Sequence, residues 1–284
     1  MSVSIEEVFA KQFEGEAKAA YQRMGSMLRG TVRTKNGVKG MSTHFPTVGK
    51  GTSGTKTRHG LVPVMNLEWD QVECSLVDQY AGEYVDDLDE LKTNVDSRMH
   101  SANAAARALG RYTDEQIIDA MSAASGSSSI TLTSAATIEN SVLEAFEALF
   151  GADVPADLGI YAAVSWRTWS AMMKVPSFKS ADYRGPDMMP FMEGGRALQS
   201  KTWMGAHWIT HSGLPKTGNT RTNFIYHSEA IGHAIQQDLK STVSWENTRS
   251  AYFINSRQSM GACLIDDDGV RKLTIDESTA LPTS

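Results

Sequence analysis

The sequence predicts an α+β protein organised around one long helix, and three observations carry that reading. Val85, Leu88, Leu91, Val95, Met99, Ala102, Ala105 and Leu109 recur at steps of three and four, the period of an amphipathic helix. Beyond Pro155, strand-like and helix-like runs alternate, and from Ser241 onward nearly everything reads as strand. The 284 residues are 41% hydrophobic and 21% charged, which excludes disorder throughout and allows one large domain or two modest ones.

Taken in order, the first segment sets Ile5, Val8, Phe9, Phe13, Ala17, Tyr21, Met24 and Leu28 at helical spacing. One apolar stripe on a charged helix needs a surface to pack on. From Arg29 to Gly60 the pattern dissolves into Gly, Thr, Lys and Arg with little to bury. A stretch of that length is usually functional, so it reads as a long loop or extended arm. Two strand-like runs follow, "LVPVMNL" and "VECSLV", the second alternating Val72, Cys74 and Leu76 with Glu73, Ser75 and Val77. A protruding β-hairpin fits around the tip.

The long helix over residues 86–109 would span roughly 36 Å at 1.5 Å per residue, a strut that Gly110 is expected to stop. Asp86, Asp87, Asp89 and Glu90 suit its amino-terminal dipole. Thr113 with Gln116 then predicts a capping box for a second helix through Ile117, Ile118 and Met121, and a third helix starts near Ser134. "GIYAAVS" is a buried strand, "WRTWSAMMKV" a helix ended by Pro176, and residues 177–198 a Gly, Pro and Met rich excursion. "SKTWMGAHWITH" and "NFIYH" are strands, with a short helix from Ser228. Asp268-Gly269 between "AYFINSRQSMGACLI" and Val270–Ile275 signals a hairpin.

Chemical motifs are tested and fail. "GKGTSGTKT", Gly49 to Thr57, resembles a phosphate loop, but Thr55 separates the second glycine from Lys56 and no helix follows. His207 and His211 in "HWITH" would share a metal on a helix, yet in a strand they stand roughly 13 Å apart. "DDDG" lacks the alternating ligands of a calcium loop and reads as a turn. Two cysteines, Cys74 and Cys263, are too few for a disulfide framework. The tryptophans, among them Trp166, Trp169, Trp203 and Trp208, are expected in the core. No catalytic residue, cofactor or metal is predicted.

Charge is unevenly placed. The net −6 divides into +6 over residues 1–60 (10 basic, 4 acidic), −12 over 61–150 (4 and 16) and 0 over 151–284 (13 and 13). A basic segment followed by an acidic block points to one part of the molecule meeting another charged surface. No apolar run approaches the roughly 20 residues of a membrane span, and the amino terminus has acids where a secretory signal needs bases, so a cytoplasmic site of synthesis is expected.

An amphipathic amino-terminal helix, a long basic hairpin, a strut helix, a separate α+β unit and a return to β-strands form a recognisable order. With "GLVPVMNLEWDQVECSLVDQYAGEYVDDLDELKTNVDSRMHSANAAARALGRYTDE" and "HSEAIGHAIQQDLKSTVSWENTRSAYFINSRQSMGACLIDDDGVRKLTI", the chain resembles the major capsid protein of tailed bacteriophages, the HK-ninety-seven-type capsid fold. The resemblance implies an amino-terminal arm (1–40), an extended loop (41–80), a peripheral domain with the spine helix (81–129 and 226–284) and an axial domain (130–225). It also implies self-assembly into hexamers and pentamers of an icosahedral head around double-stranded DNA, inside a bacterial host. The partners it implies are a portal protein, a separate scaffolding protein, since the arm begins at once, and a decoration protein. Contact with DNA is expected to be weak and non-specific, because a net −6 protein repels phosphate.

The inter-subunit contact expected is heterologous. Lys50, Lys56 and Arg58 of the loop would lie over Asp86, Asp87, Asp89 and Glu90 of a neighbour, while Ile5, Val8, Phe9, Phe13 and Tyr21 pack the arm. Lys50 and Lys56 lack an identifiable Asn and Glu partner, so no isopeptide cross-link is expected. A cellular nanocompartment shell is the alternative within this fold. A nucleotide hydrolase at Gly49 to Thr57 or a metal hydrolase at His207 and His211 is the alternative outside it.

Overall fold

A computed structural model describes residues 25–87, 97–155, 159–179 and 200–281. After a 3-10 turn (Arg29–Thr31), the chain forms β1 (Arg33–Asn36), β2 (Ser42–Val48), β3 (Trp69–Ser75), β4 (Val77–Asp86), α1 (Ser97–Ser122), β5 (Ser127–Ile130) and α2 (Ala135–Phe150). It continues through β6 (Ile160–Val164), α3 (Trp166–Met172), α4 (Pro176–Lys179), β7 (Ser200–Trp203), β8 (Ala206–Thr210), β9 (Lys216–Thr217) and β10 (Thr220–His227). After a second 3-10 turn (Ser228–Ala230) come β11 (Ile231–Glu246), β12 (Ala251–Leu264) and β13 (Val270–Asp276).

The chain divides into two compact units. Among the described residues the first holds 25–26, 77–87, 97–113 and 236–260; the second holds the rest. Residues 261–281 group with 114–235, where β13 pairs with β10.

In the first unit β4 pairs antiparallel with β12 over ten positions, from Asp86↔Ala251 to Val77↔Met260. Tyr84 stacks on the opposed Phe253 at 4.6 Å, and a Cβ at Gly82 would sit 2.8 Å from the Phe253 ring, so the glycine makes room for the aromatic. Gln258 Nε2 donates to Leu109 O (3.0 Å) and Thr113 Oγ1 (3.2 Å), fixing the helix to β12.

The second unit is layered around a mixed sheet of order β5-β13-β10-β6-β8-β7. Period-two alternation splits its side chains between two cores. Ile225, Ile160, Ala162, Val164, Trp208, Leu273 and Ile275 meet α2 (Ile138, Val142, Phe146, Leu149) and α3 (Trp169, Met172). Phe224, Tyr226, Ala163 and Val270 meet Ile117, Ile118 and Met121 of α1 together with Leu28. Trp169, Trp203 and Trp208 are core residues, as expected; Trp166 is exposed. Ser134 caps α2 by accepting from Thr137 N–H at 3.2 Å. Between β7 and β8, Met204 and Gly205 both take positive φ, the geometry of a two-residue hairpin turn.

Several expectations are corrected. Gly110 does not stop the long helix, and Thr113 starts no new one: α1 runs unbroken through both. A helical glycine costs only about 1 kcal/mol relative to alanine, and here the Gly25 backbone lies 2.8 Å from where a Cβ would be. Thr113 Oγ1 turns back to Leu109 O (3.2 Å) instead of capping. The hairpin's strands are β2 and β3; "LVPVMNL" forms no ladder. The "DDDG" turn is present, with Asp268 N–H on Asp266 Oδ1 at 3.0 Å, but β12 and β13 belong to different sheets and do not pair. Asp86 ends a strand rather than opening a helix, so the helix dipole does not account for it.

Candidate assembly interface

The extended hairpin is β2 against β3, in register from Ser42↔Ser75 to Val48↔Trp69. Thr43, Phe45 and Cys74 are its buried residues, and Pro46 is tolerated because β2 is paired along one edge only. Above Val48 the ladder gives way to a glycine-spaced tip. Gly49 N–H donates to Glu68 O at 2.8 Å. A Cβ at Gly51 would run into Met65 Sδ, and one at Gly54 would sit 2.9 Å from Pro63 Cγ. The glycines of "GKGTSGTKT" therefore let two limbs of the tip lie side by side; the spacing has a packing cause and no phosphate cradle is needed to explain it. The tip turns at Thr57–Gly60, with Gly60 N–H on Thr57 O (2.9 Å) and His59 at φ 71°.

Exposure on this tip is inverted. Leu61 is 96% and Val64 83% exposed, and Val62, Met65, Trp69 and Val48 are open as well. Contiguous apolar exposure of this kind marks an interaction surface. Lys56 and Arg58 stand exposed on the same tip. Lys50 instead reaches within its own unit to Ala152 O and the Asp153 carboxylate, both at 3.1 Å. With those side chains 75% and 82% exposed, the pair contributes about 0–1 kcal/mol. Asp86 and Asp87 are exposed in the first unit. Asp89, Glu90, Ile5, Val8, Phe9, Phe13 and Tyr21 lie outside the described residues.

Sequence reasoning missed the site that fixes the start of the second unit. Asp114 in α1 is fully buried, and its oxygens accept from Met27 N–H (3.1 and 3.2 Å), Leu28 N–H (3.1 Å) and His211 Nε2 (3.1 Å). His211 Nδ1 accepts from Gly213 N–H at 3.1 Å, so the ring is held in the Nε2–H tautomer that donates to Asp114. One carboxylate thus joins the entering chain, a helix and the end of β8. His207, on β8, meets Thr202 Oγ1 at 3.0 Å and the Tyr161 ring. Both histidines of "HWITH" have protein partners, and among the described residues no three His, Cys, Asp or Glu converge as a metal site.

A family model described as phage capsid protein matches residues 5–277. The chain belongs to that family. Solved structures agree in fold. The capsid of cyanophage P-SCSP1u superposes with a TM-score of 0.76 at 15% identity, covering 97% of this chain and 95% of that one. The mature capsid of bacteriophage PhiM1 gives 0.68 at 14%, covering 95% and 92%. The capsid of a native GTA particle gives 0.68 at 12%, covering 96% and 99%. A comparison with curated proteins returns no match. This phage capsid protein has the HK-ninety-seven-type fold and is a structural major capsid protein of the virion. The proteins it matches are structural rather than enzymatic.

Proposed function

We propose that the extended hairpin of each capsid protein clasps a neighbouring copy, and that repetition of this contact closes hexamers and pentamers of an icosahedral shell around double-stranded DNA. The contact is heterologous, so it generates rings wherever the rotation between copies closes. The observation that carries the reading is the exposed apolar run Leu61, Val62, Val64 and Met65 on a tip that also bears Lys56 and Arg58. Burial of that run against a neighbour supplies affinity, at roughly 25 cal/mol per Å² of apolar surface removed from water. The cations meet the acidic segment Asp86, Asp87, Asp89 and Glu90 of the neighbour; each exposed pair adds about 0–1 kcal/mol and sets register and rate more than affinity. Lys50, engaged with Asp153, plays the smaller part of the three. The arm residues Ile5, Val8, Phe9, Phe13 and Tyr21 pack on a further surface of the shell.

Assembly takes place in the bacterial cytoplasm with a separate scaffolding protein, a portal at one vertex and a decoration protein outside, while DNA is held by weak, sequence-independent contacts. Co-expression with the scaffolding partner and electron microscopy test the charge contact. A Lys56→Ser/Arg58→Ser variant should assemble more slowly than the parent at low salt and equally fast at high salt, where a Debye length near 3 Å at 1 M screens the pairs. Assembly at the parental rate in low salt would overturn the charged part of the contact.

A further inference from the structure

Cys74 and Cys263 are the two cysteines of the chain, far apart in sequence and both free thiols. Three observations bring their sulfur atoms together. The antiparallel ladder of β4 on β12 ends at Val77↔Met260, three residues from each cysteine. The backbones close up at that point, since a Cβ on Gly261 would collide with the Ser75 carbonyl. Both side chains sit in one apolar cluster with Val38, Phe45, Ala234 and Ile265. Neighbouring strands lie about 4.7–4.9 Å apart, and a disulfide spans Cα atoms roughly 4.4–6.8 Å apart.

The pair is also asymmetric. Cys74 is buried and Cys263 only half-buried, so an oxidant in solution reaches Cys263 first.

We propose that Cys74 and Cys263 are a redox site that closes to a reversible disulfide in oxidising surroundings, with a low-molecular-weight disulfide such as oxidised glutathione as the oxidant. Cys263 sulfur attacks the small disulfide, forming a mixed disulfide and releasing one small thiol that carries away the Cys263 proton. Cys74 sulfur then attacks Cys263 sulfur, forming the Cys74–Cys263 bond and expelling the second small thiol with the Cys74 proton. Two protein thiols are oxidised and one small disulfide is reduced to two thiols. The bond ties β3, the return strand of the extended hairpin, to the carboxy-terminal end of β12, and so fixes the hairpin at its base.

The test uses the purified full chain, exposed under native conditions to oxidised glutathione, then denatured, alkylated with iodoacetamide and weighed intact. The expected product has lost two hydrogens, takes no alkyl group, yields a cross-linked Cys74–Cys263 peptide and melts at a higher temperature until dithiothreitol is added. Cys74→Ser should stop at a stable glutathione adduct on Cys263, whereas Cys263→Ser should stay unmodified because its remaining thiol is buried. Two alkylated cysteines in the oxidised parent chain, or a persistent glutathione adduct on it, would overturn the proposal whatever the variants do. Shell formation is not read by any of these measurements, so their failure leaves the assembly contact standing and its failure leaves them standing.

Discussion

Val64 and Val164 are the same residue in opposite settings. Val164, in β6, is completely buried between strands and helices of the second unit, while Val64, on the hairpin tip, is 83% exposed. The contrast extends to their neighbours: Ala162, Trp208 and Ile225 surround the first, Leu61, Val62 and Met65 accompany the second. A sheet residue finds its partners within one chain; a tip residue of equal hydrophobicity finds none there, and in the proposed clasp another copy would cover it. If the clasp is right, the fold separates what holds a subunit together from what holds subunits to one another, and substitutions can be chosen that act on one and spare the other.

The strongest break falls on the inner side of that divide, at Asp114. Alanine there would leave the buried Leu28 N–H and His211 Nε2 and the half-buried Met27 N–H without an acceptor. Each buried donor left without a partner costs about 1–3 kcal/mol, so the three together are expected to cost about 3–5 kcal/mol. Asp114→Ala should lose that much unfolding free energy in urea titrations at pH 7, with an unchanged slope. A loss under 1 kcal/mol would mean that the network is not what fixes residues 27 and 28.

A milder break comes from acid. Burial acts to raise the Glu277 carboxyl, but hydrogen bonds and charge from Lys216 (2.8 Å) and Arg221 (2.6 Å) outweigh it and hold the group below its usual value of 4.5. A depressed carboxylate stabilises the fold above its unfolded pKa, and that contribution is lost as pH falls through the folded value. Glu277→Gln should accordingly lower stability at pH 7 yet flatten the decline below about pH 4.5, read as melting temperature against pH. Parallel profiles for parent and variant would show that the Lys216–Glu277–Arg221 cluster has no net effect on folding.

What the sequence revealed follows the same division. Periodic apolar spacing is a local signal, so the helix through Met99, Ala102, Ala105 and Leu109, the start of α2 at Ser134 and the strand Ile160–Val164 were legible. The end of α1 was not, because Gly110 looks like a stop until the Gly25 backbone is seen against it. Strand β2 hid behind Pro46 and one-sided burial of only Thr43 and Phe45. The pairing of β13 with β10 rather than β12 depends on long-range register that no local turn signal contains, and Asp114 looks on paper like any solvated helix charge. The split between a basic stretch over residues 1–60 and an acidic one over 61–150 was visible at once, but not that Lys50 pairs with Asp153.

The smallest expected effect on the subunit is also the sharpest test of the comparison. Replacing Leu61, Val62 and Val64 by serine removes apolar surface that is already in water, so nothing is lost from the fold and no cavity forms. Unfolding free energy should change by no more than about 0.5 kcal/mol, the range for surface substitutions remote from caps, cores and buried charges. In a shell the same three side chains would be covered at every repeat of the contact, so the loss multiplies with the number of closed neighbours. Sedimentation of the purified variant beside the parent should show folded subunits that fail to form shells. Normal shells from the triple variant would mean that the exposed apolar run is not the clasp, and a destabilised subunit would mean that the tip is held by its own chain after all.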